Sequence, residues 1–216
     1  MREERGSTKR RIVEATYEMI LEGGLESVTA REVTKRVGVS ATMIYKHFEN
    51  LTYLTVIASI RYIQDYFNAL KELYNEDEDY IQMDLNGWRN FCNFAFKNPP
   101  IYENLFWGTY NNNLEDALMD FYEIFPEELP QKNAAFMVYS LFSSSIEERD
   151  FLWLRRAANR NLIEYDNAKF VARTNCLICR GCLLEHFKDY TEPRISENAA
   201  DECYNLIYKN IMTYVK

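Results

Sequence analysis

The feature that most limits how this chain can fold is where its helix breakers stand. Four of its seven glycines (Gly6, Gly23, Gly24, Gly38) fall before residue 40, and its five prolines are Pro99, Pro100, Pro126, Pro130 and Pro193. Glycine and proline cost more than any other residue inside a helix, so the long stretches free of both favour helices throughout. Nothing along the chain alternates apolar and polar residues as a half-buried strand does, and no segment repeats. Hydrophobic residues make up 47%, so disorder is not the default, and 216 residues are enough for a small domain joined to a larger one. The expected class is all-α.

The N-terminal helices can be placed individually. The first runs from Ser7 or Thr8 to about Glu22, with Ile12, Ala15, Thr16, Met19 and Ile20 on one face, and Gly23-Gly24 stops it. Thr29-Ala30-Arg31-Glu32 fits a capping box that opens a second helix, with Ala30, Val33 and Val37 inward and Gly38 at its end. Ser40 follows two residues later with a hydroxyl suited to capping a third helix, Ala41 to about His47, anchored inward by Ile44 and Phe48. Two short helices joined through Gly38-Val39 have helix-turn-helix spacing. Asn50 can cap a fourth helix, a long amphipathic one from Leu51 to about Tyr74, after which the acidic run Glu76-Asp77-Glu78-Asp79 reads as a solvated connection. The prolines then divide the remainder into helices at about 80–97, 101–122, 131–158, 165–189 and 196–215.

A net charge of −8 argues against a nucleic-acid partner until it is divided along the chain. Residues 1–50 carry nine Lys/Arg against eight Asp/Glu, whereas residues 51–216 carry sixteen against twenty-five. The acidic second part repels a phosphate backbone, so any DNA contact belongs to the first fifty residues.

Residues 10–54, from Arg10-Arg11-Ile12-Val13-Glu14-Ala15 to Leu54, resemble the N-terminal domain of TetR-family regulators. The resemblance rests on the Gly38-Val39-Ser40 turn, then Tyr45-Lys46-His47-Phe48, then the capping Asn50 and Leu54, in register. It implies a dimeric, usually repressing regulator. Residues 1–50 are then the helix-turn-helix DNA-binding domain, and residues 51–216 a larger helical domain that binds a small effector and dimerises. The third helix would enter the major groove of an operator, with Ala41, Thr42 and Met43 towards base edges, Tyr45, Lys46 and His47 towards phosphates, and Ser40 also among the DNA-binding residues. Members of the family often carry a basic residue after the turn serine and a lysine at the start of the fourth helix. Here those positions are Ala41 and Leu51. Hydroxyls of Thr29, Thr52 and Tyr53 can replace some phosphate contacts, but a hydroxyl releases no counterion, so salt dependence should be shallow.

Of 32 aromatic residues, 29 lie beyond residue 50. Trp88, Phe91, Trp107, Tyr110, Phe136, Tyr139 and Trp153 are the candidates to wall a pocket for an apolar or aromatic effector, although an aromatic stripe also serves as plain core. The last two helices offer Cys176, Cys179 and Leu183 on one and Ile207 and Ile211 on the other. Two copies of that pair would close a four-helix bundle between subunits.

Cys176, Cys179, Cys182 and His186 invite a metal or thiol-sensing reading, with Cys179, Cys182 and His186 the closest set. The same residues also fit a helical stripe of Ala172, Cys176, Cys179, Leu183 and Phe187, which needs neither metal nor cofactor. No phosphate-binding glycine loop, Gly-x-Ser-x-Gly or His-Glu-x-x-His is present and only two histidines occur, so an enzyme is not expected. The N-terminal charges precede no apolar run and no segment reaches 18 apolar residues, so a cytoplasmic chain without a membrane span is expected.

Overall fold

The computed structural model describes residues 2–72, 79–129 and 145–216. Among them are eleven α-helices: α1 (Arg2–Gly23), α2 (Ala30–Val37), α3 (Ala41–His47), α4 (Leu51–Ser59), α5 (Gln64–Glu72), α6 (Tyr80–Ala95), α7 (Pro99–Trp107), α8 (Leu114–Ile124), α9 (Ile146–Asn159), α10 (Tyr165–Glu185) and α11 (Pro193–Tyr214). The described residues contain no strand, only an isolated bridge between Ile163 and Val215. None of their helices is long and apolar enough to cross a membrane.

The N-terminal unit folds as its pattern dictates. Ile12, Ala15, Thr16, Met19 and Ile20 of α1 are buried against Val33 and Val37 of α2 and Ile44 and Phe48 at the end of α3. Thr29 caps α2 by accepting from the Glu32 amide at 3.2 Å. Gly38 ends it with φ 75°, a left-handed conformation that costs glycine nothing and a side chain much. Arg11 then donates to the Val37 carbonyl at 2.7 Å, placing a cation on an orphan acceptor at the negative end of α2.

Three long helices expected from the sequence are broken. The one from Leu51 gives way to a 3-10 turn at Ile60–Ile63 before α5 begins. Just ahead of that turn the Thr55 hydroxyl donates to the Leu51 carbonyl and the Ser59 hydroxyl to the Thr55 carbonyl, back-bonding that bends helices. The helix expected over 101–122 is split into α7 and α8 at Gly108, where a Cβ would sit 2.3 Å from the Asn104 carbonyl oxygen. The helix expected over 131–158 falls partly outside the described residues. Within them α9 begins at Ile146, with Ser145 as its N-cap, whose hydroxyl accepts from the Glu148 amide at 3.1 Å. The signal was the capping sequence Ser145-Ile146-Glu147-Glu148.

In the larger part, α9 packs on α10, α10 on α11, α11 on α6 and α6 on α9, a ring of four helices closed within one chain. Its core includes Trp88, Phe91 and Cys92 of α6, Leu154 of α9, Cys176, Cys179 and Leu183 of α10, and Cys203, Ile207 and Ile211 of α11. The N-terminal unit meets this body through α4, which packs against α1, α7 and α8.

Candidate nucleic-acid interface

On α3 the residues divide by depth. Ile44 and, just beyond the helix, Phe48 are buried, Met43 and His47 are half-buried, and Ala41, Thr42, Tyr45 and Lys46 face solvent. The turn thus presents the N-terminal side chains of α3 outward while its anchors hold it against α1. Ser40 occupies the N-cap position but makes no side-chain capping bond, a departure from its expected role. Its hydroxyl is exposed, and its carbonyl accepts from the Met43 amide at 2.9 Å. Thr29 and Thr52 are exposed at the first turns of α2 and α4.

Most basic residues nearby are engaged inside the protein. Arg10 pairs with Glu14 and Glu127, Arg36 with Glu22 and Glu18, and Lys35 with Glu32. Arg31 and Lys46, both exposed, form no ion pair with a described residue. Arg31 was not among the residues singled out from the sequence. The usable signal was its place in the first turn of α2, beside Thr29.

A polar clasp joins this unit to the body. Asn50 caps α4 by accepting from the Tyr53 amide at 2.8 Å, and its Nδ2 donates to the Tyr110 hydroxyl at 2.5 Å. The Tyr53 hydroxyl donates to Asp120 at 3.0 Å, so it is committed inward, in contrast to the phosphate role expected of it. Burial and the neighbouring Asp120 push the Tyr53 hydroxyl pKa up, which keeps it a donor. Arg61 adds a pair with Glu128 at 2.7 Å and, with Arg10, stacks on the Phe125 ring.

The aromatic residues expected to wall a pocket separate into groups. Trp88, Phe91 and Trp153 line one cavity of about 50 Å³ between α5, α6 and α9, together with Tyr66, Leu70, Asp84, Arg149 and Asp150. Trp107 does not line it and packs on Phe91 and Phe106, at 6.4 and 6.2 Å between ring centroids. Tyr110 belongs to the clasp and packs on Tyr53 at 5.0 Å. Phe136 and Tyr139 lie outside the described residues. The cavity wall carries charge that the aromatic pattern did not announce. The Trp88 indole donates to Asp150 at 2.7 Å and Asn175 donates to the other oxygen at 3.1 Å, an arrangement suited to a carboxylate. Asp84 is pushed well above the usual carboxyl range by burial and by the neighbouring Asp150, so it is the protonated partner. Burial raises Asp150 to about 6 and draws the buried Arg149 guanidinium down.

The residues expected at the dimer interface, Cys176, Cys179, Leu183, Ile207 and Ile211, are all covered inside one chain, where they close the ring of α6, α9, α10 and α11. Periodicity identified a buried face correctly but not what buries it. The outward faces of α10 and α11 instead expose Phe170, Leu177 and Leu184, and Leu206, Tyr208 and Met212. Gly181, which has open space where a Cβ would be, sits between Leu177 and Leu184.

The expected set of Cys179, Cys182 and His186 is not brought together. His186 lies against Ser196 at 3.2 Å and the Phe96 ring. Cys179 meets Cys92 and Cys203 instead, the three Sγ atoms lying within 4.8 Å of one another, with Cys92 and Cys203 at 3.8 Å. No local spacing pointed to Cys92 or Cys203, which stand on other helices.

The family model described as bacterial regulatory proteins, tetR family, matches residues 12–51. A comparison with curated proteins found no match. Among solved structures, the chain is similar to a Mesorhizobium loti MAFF303099 protein assigned to the TetR-family transcriptional regulators, with 14% identity, 98% of each chain covered and a TM-score of 0.56. It is also similar to the TetR-family transcriptional regulator PfmR of Thermus thermophilus, at 14% identity, 92% of this chain and 97% of that one, and a TM-score of 0.51. A third is SmeT, the repressor of the Stenotrophomonas maltophilia multidrug efflux pump SmeDEF, at 17% identity, 96% of this chain and 90% of that one, and a TM-score of 0.50.

Proposed function

We propose that this chain, a TetR-family transcription regulator by its N-terminal domain and its all-helical fold, binds a near-palindromic operator as a two-fold dimer and is released by a small effector. The observation that carries the reading is the outward presentation of Ala41, Thr42, Tyr45 and Lys46 by a helix whose other side is anchored through Ile44 and Phe48. Met43 and Thr42 stand nearest the base edges. Lys46 and Arg31 supply charge for phosphates, with Thr29, Ser40, Tyr45, His47 and Thr52 as uncharged or partly charged donors around them. One short helix reads few base pairs, so a second copy about one DNA turn away is needed for specificity. The residue division is 1–50 for reading DNA and 51–216 for effector binding and dimerisation, and the outward faces of α10 and α11 are the dimerising surface.

The effector site is the cavity at Trp88, Phe91 and Trp153. Its volume of about 50 Å³ is well below the ~150 Å³ that an apolar cavity needs to take up benzene, so an effector has to widen it. Asp84, Asp150 and Arg149 on its wall favour an aromatic body carrying one polar group. Widening moves α6, which packs on α7, and the clasp through Tyr110, Asp120 and Glu128 carries the displacement to α4 and the turn after it. Repression is the reading that suits a regulator released by its ligand, and SmeT, a neighbour in fold, is a repressor. The test is fluorescence anisotropy of the full chain with duplexes selected from the source genome. Saturable binding to a near-palindrome is expected, and absence of duplex binding at low salt overturns the assignment.

A further inference from the structure

We propose that Cys92, Cys179 and Cys203 form a three-sulfur site for a trivalent thiophilic metalloid of the arsenite class. The three residues come from α6, α10 and α11 and are fully buried. Among the described residues their sulfurs converge with no carboxylate or imidazole in the group. A sulfur-only, soft donor set rejects ions that prefer oxygen.

Size fits the assignment. A bond of about 2.3 Å from each sulfur to a common centre sets the sulfurs about 3.5 Å apart when the centre is pyramidal and about 4.0 Å apart when it is planar. The Cys92–Cys203 separation is 3.8 Å, and no pair exceeds 4.8 Å. Closing the ring therefore needs sub-ångström to one-ångström shifts of side chains. Zinc, by contrast, takes four ligands in protein sites, and among the described residues no fourth cysteine, histidine or carboxylate joins this group.

Charge selects among the three-coordinate ions. Three thiolates around a monovalent copper leave two negative charges in the buried core, and around a divalent ion they leave one. A trivalent centre leaves none. The reaction with arsenous acid is balanced without oxidant or reductant: three As–O bonds break and three As–S bonds form. Each S–H proton leaves with a hydroxide as water, and neither arsenic nor sulfur changes oxidation state. Cys182, half-exposed and one turn along α10 from Cys179, gives the entry path by thiol exchange. Cys176, on the same helix, belongs to no such group of ligand atoms among the described residues and serves as the internal control.

The test uses the full reduced chain under anaerobic conditions, titrated with sodium arsenite and followed by As–S absorption in the ultraviolet and by reactive-thiol count. One equivalent per chain is expected, with X-ray absorption showing three sulfurs and no oxygen. Cys92→Ala, Cys179→Ala and Cys203→Ala should each weaken binding by about 100-fold or more, because one arm of a chelate is lost. Cys176→Ala should leave affinity unchanged, and Cys182→Ala should slow uptake at unchanged affinity. The absorption spectrum of the unsubstituted protein decides the matter even where a variant folds poorly. A shell of two sulfurs, affinity insensitive to Cys92→Ala in a folded variant, or tighter binding of Cu(I) or Zn(II) in direct competition would each overturn the assignment.

Discussion

Replacing Asp84 by asparagine should stabilise the protein above pH 6, by an amount that grows with pH. Asp84 and Asp150 are buried neighbours on the wall of one cavity, and Asp150 also receives the Trp88 and Asn175 donors. Their folded pKa values lie above the ordinary 3.8, Asp150 at about 6 and Asp84 well above the usual carboxyl range, with burial the first cause for each. Between 3.8 and about 6 the folded chain holds protons on both residues that the unfolded chain has released, so stability falls as pH rises. Above 6 Asp84 alone continues this loss until the pH passes its own raised pKa. The Asp84→Asn amide can donate to Asp150 without titrating. Arg149 and Tyr66 are present in both proteins and cancel in the comparison. The gap in unfolding free energy between variant and unsubstituted protein should therefore widen as pH rises above 6, by at most about 1.4 kcal/mol per pH unit. In a chain of this length that is about 3–6 °C of Tm per unit. Urea or thermal unfolding followed by circular dichroism from about pH 5.5 to 8.5 at constant ionic strength measures it. Parallel stability curves for the two proteins would refute the shared-proton account.

Lys46→Ala should weaken binding to all duplexes alike and, with two copies per dimer, lower the slope of log K against log salt by about 2, from about −4 if Lys46 and Arg31 are the main phosphate cations. Substituting Thr42 or Met43 should instead change which duplex is preferred, measured by selection from a randomised pool. Leu177→Asp or Leu184→Asp should yield folded monomers by light scattering, whereas Ile211→Asp should unfold the chain, since it buries a charge within one subunit; a folded monomer from Ile211→Asp would return the interface to the inner faces. Tyr53→Phe removes the 3.0 Å bond to Asp120 and should leave DNA affinity within about threefold while reducing the release caused by an aromatic ligand, with anisotropy and Trp88 fluorescence read together.

How far the sequence reaches differs between the two parts of the molecule, for a physical reason. In the first fifty residues the determinants are local. Thr29 and Asn50 cap helices through amides three residues away, Gly38 supplies the left-handed turn, and the 3.6-residue period of Ile12 to Ile20 names the buried face. Interactions of that range are written in neighbouring letters, so the helix-turn-helix could be read before any coordinate. Beyond Leu51 the pattern still marks helices, but their breaks depend on weaker signals, such as Ser145 before Glu148 and the tight approach of Gly108 to Asn104. Which surface covers an apolar face is not local at all. Cys179, Leu183, Ile207 and Ile211 have the same periodicity whether a second subunit or α6 and α9 lie over them, and only the ring closure within one chain decides it. The cysteines carry the same lesson. Sequence spacing groups Cys179 with Cys182 and His186, whereas packing three helices together places Cys179 beside Cys92 and Cys203 and turns His186 towards Ser196. Helix propensity, capping and face are properties of a segment. The partners of a face, the pairing of Asp84 with Asp150 and the meeting of three thiols arise only when segments far apart in the chain exclude water together.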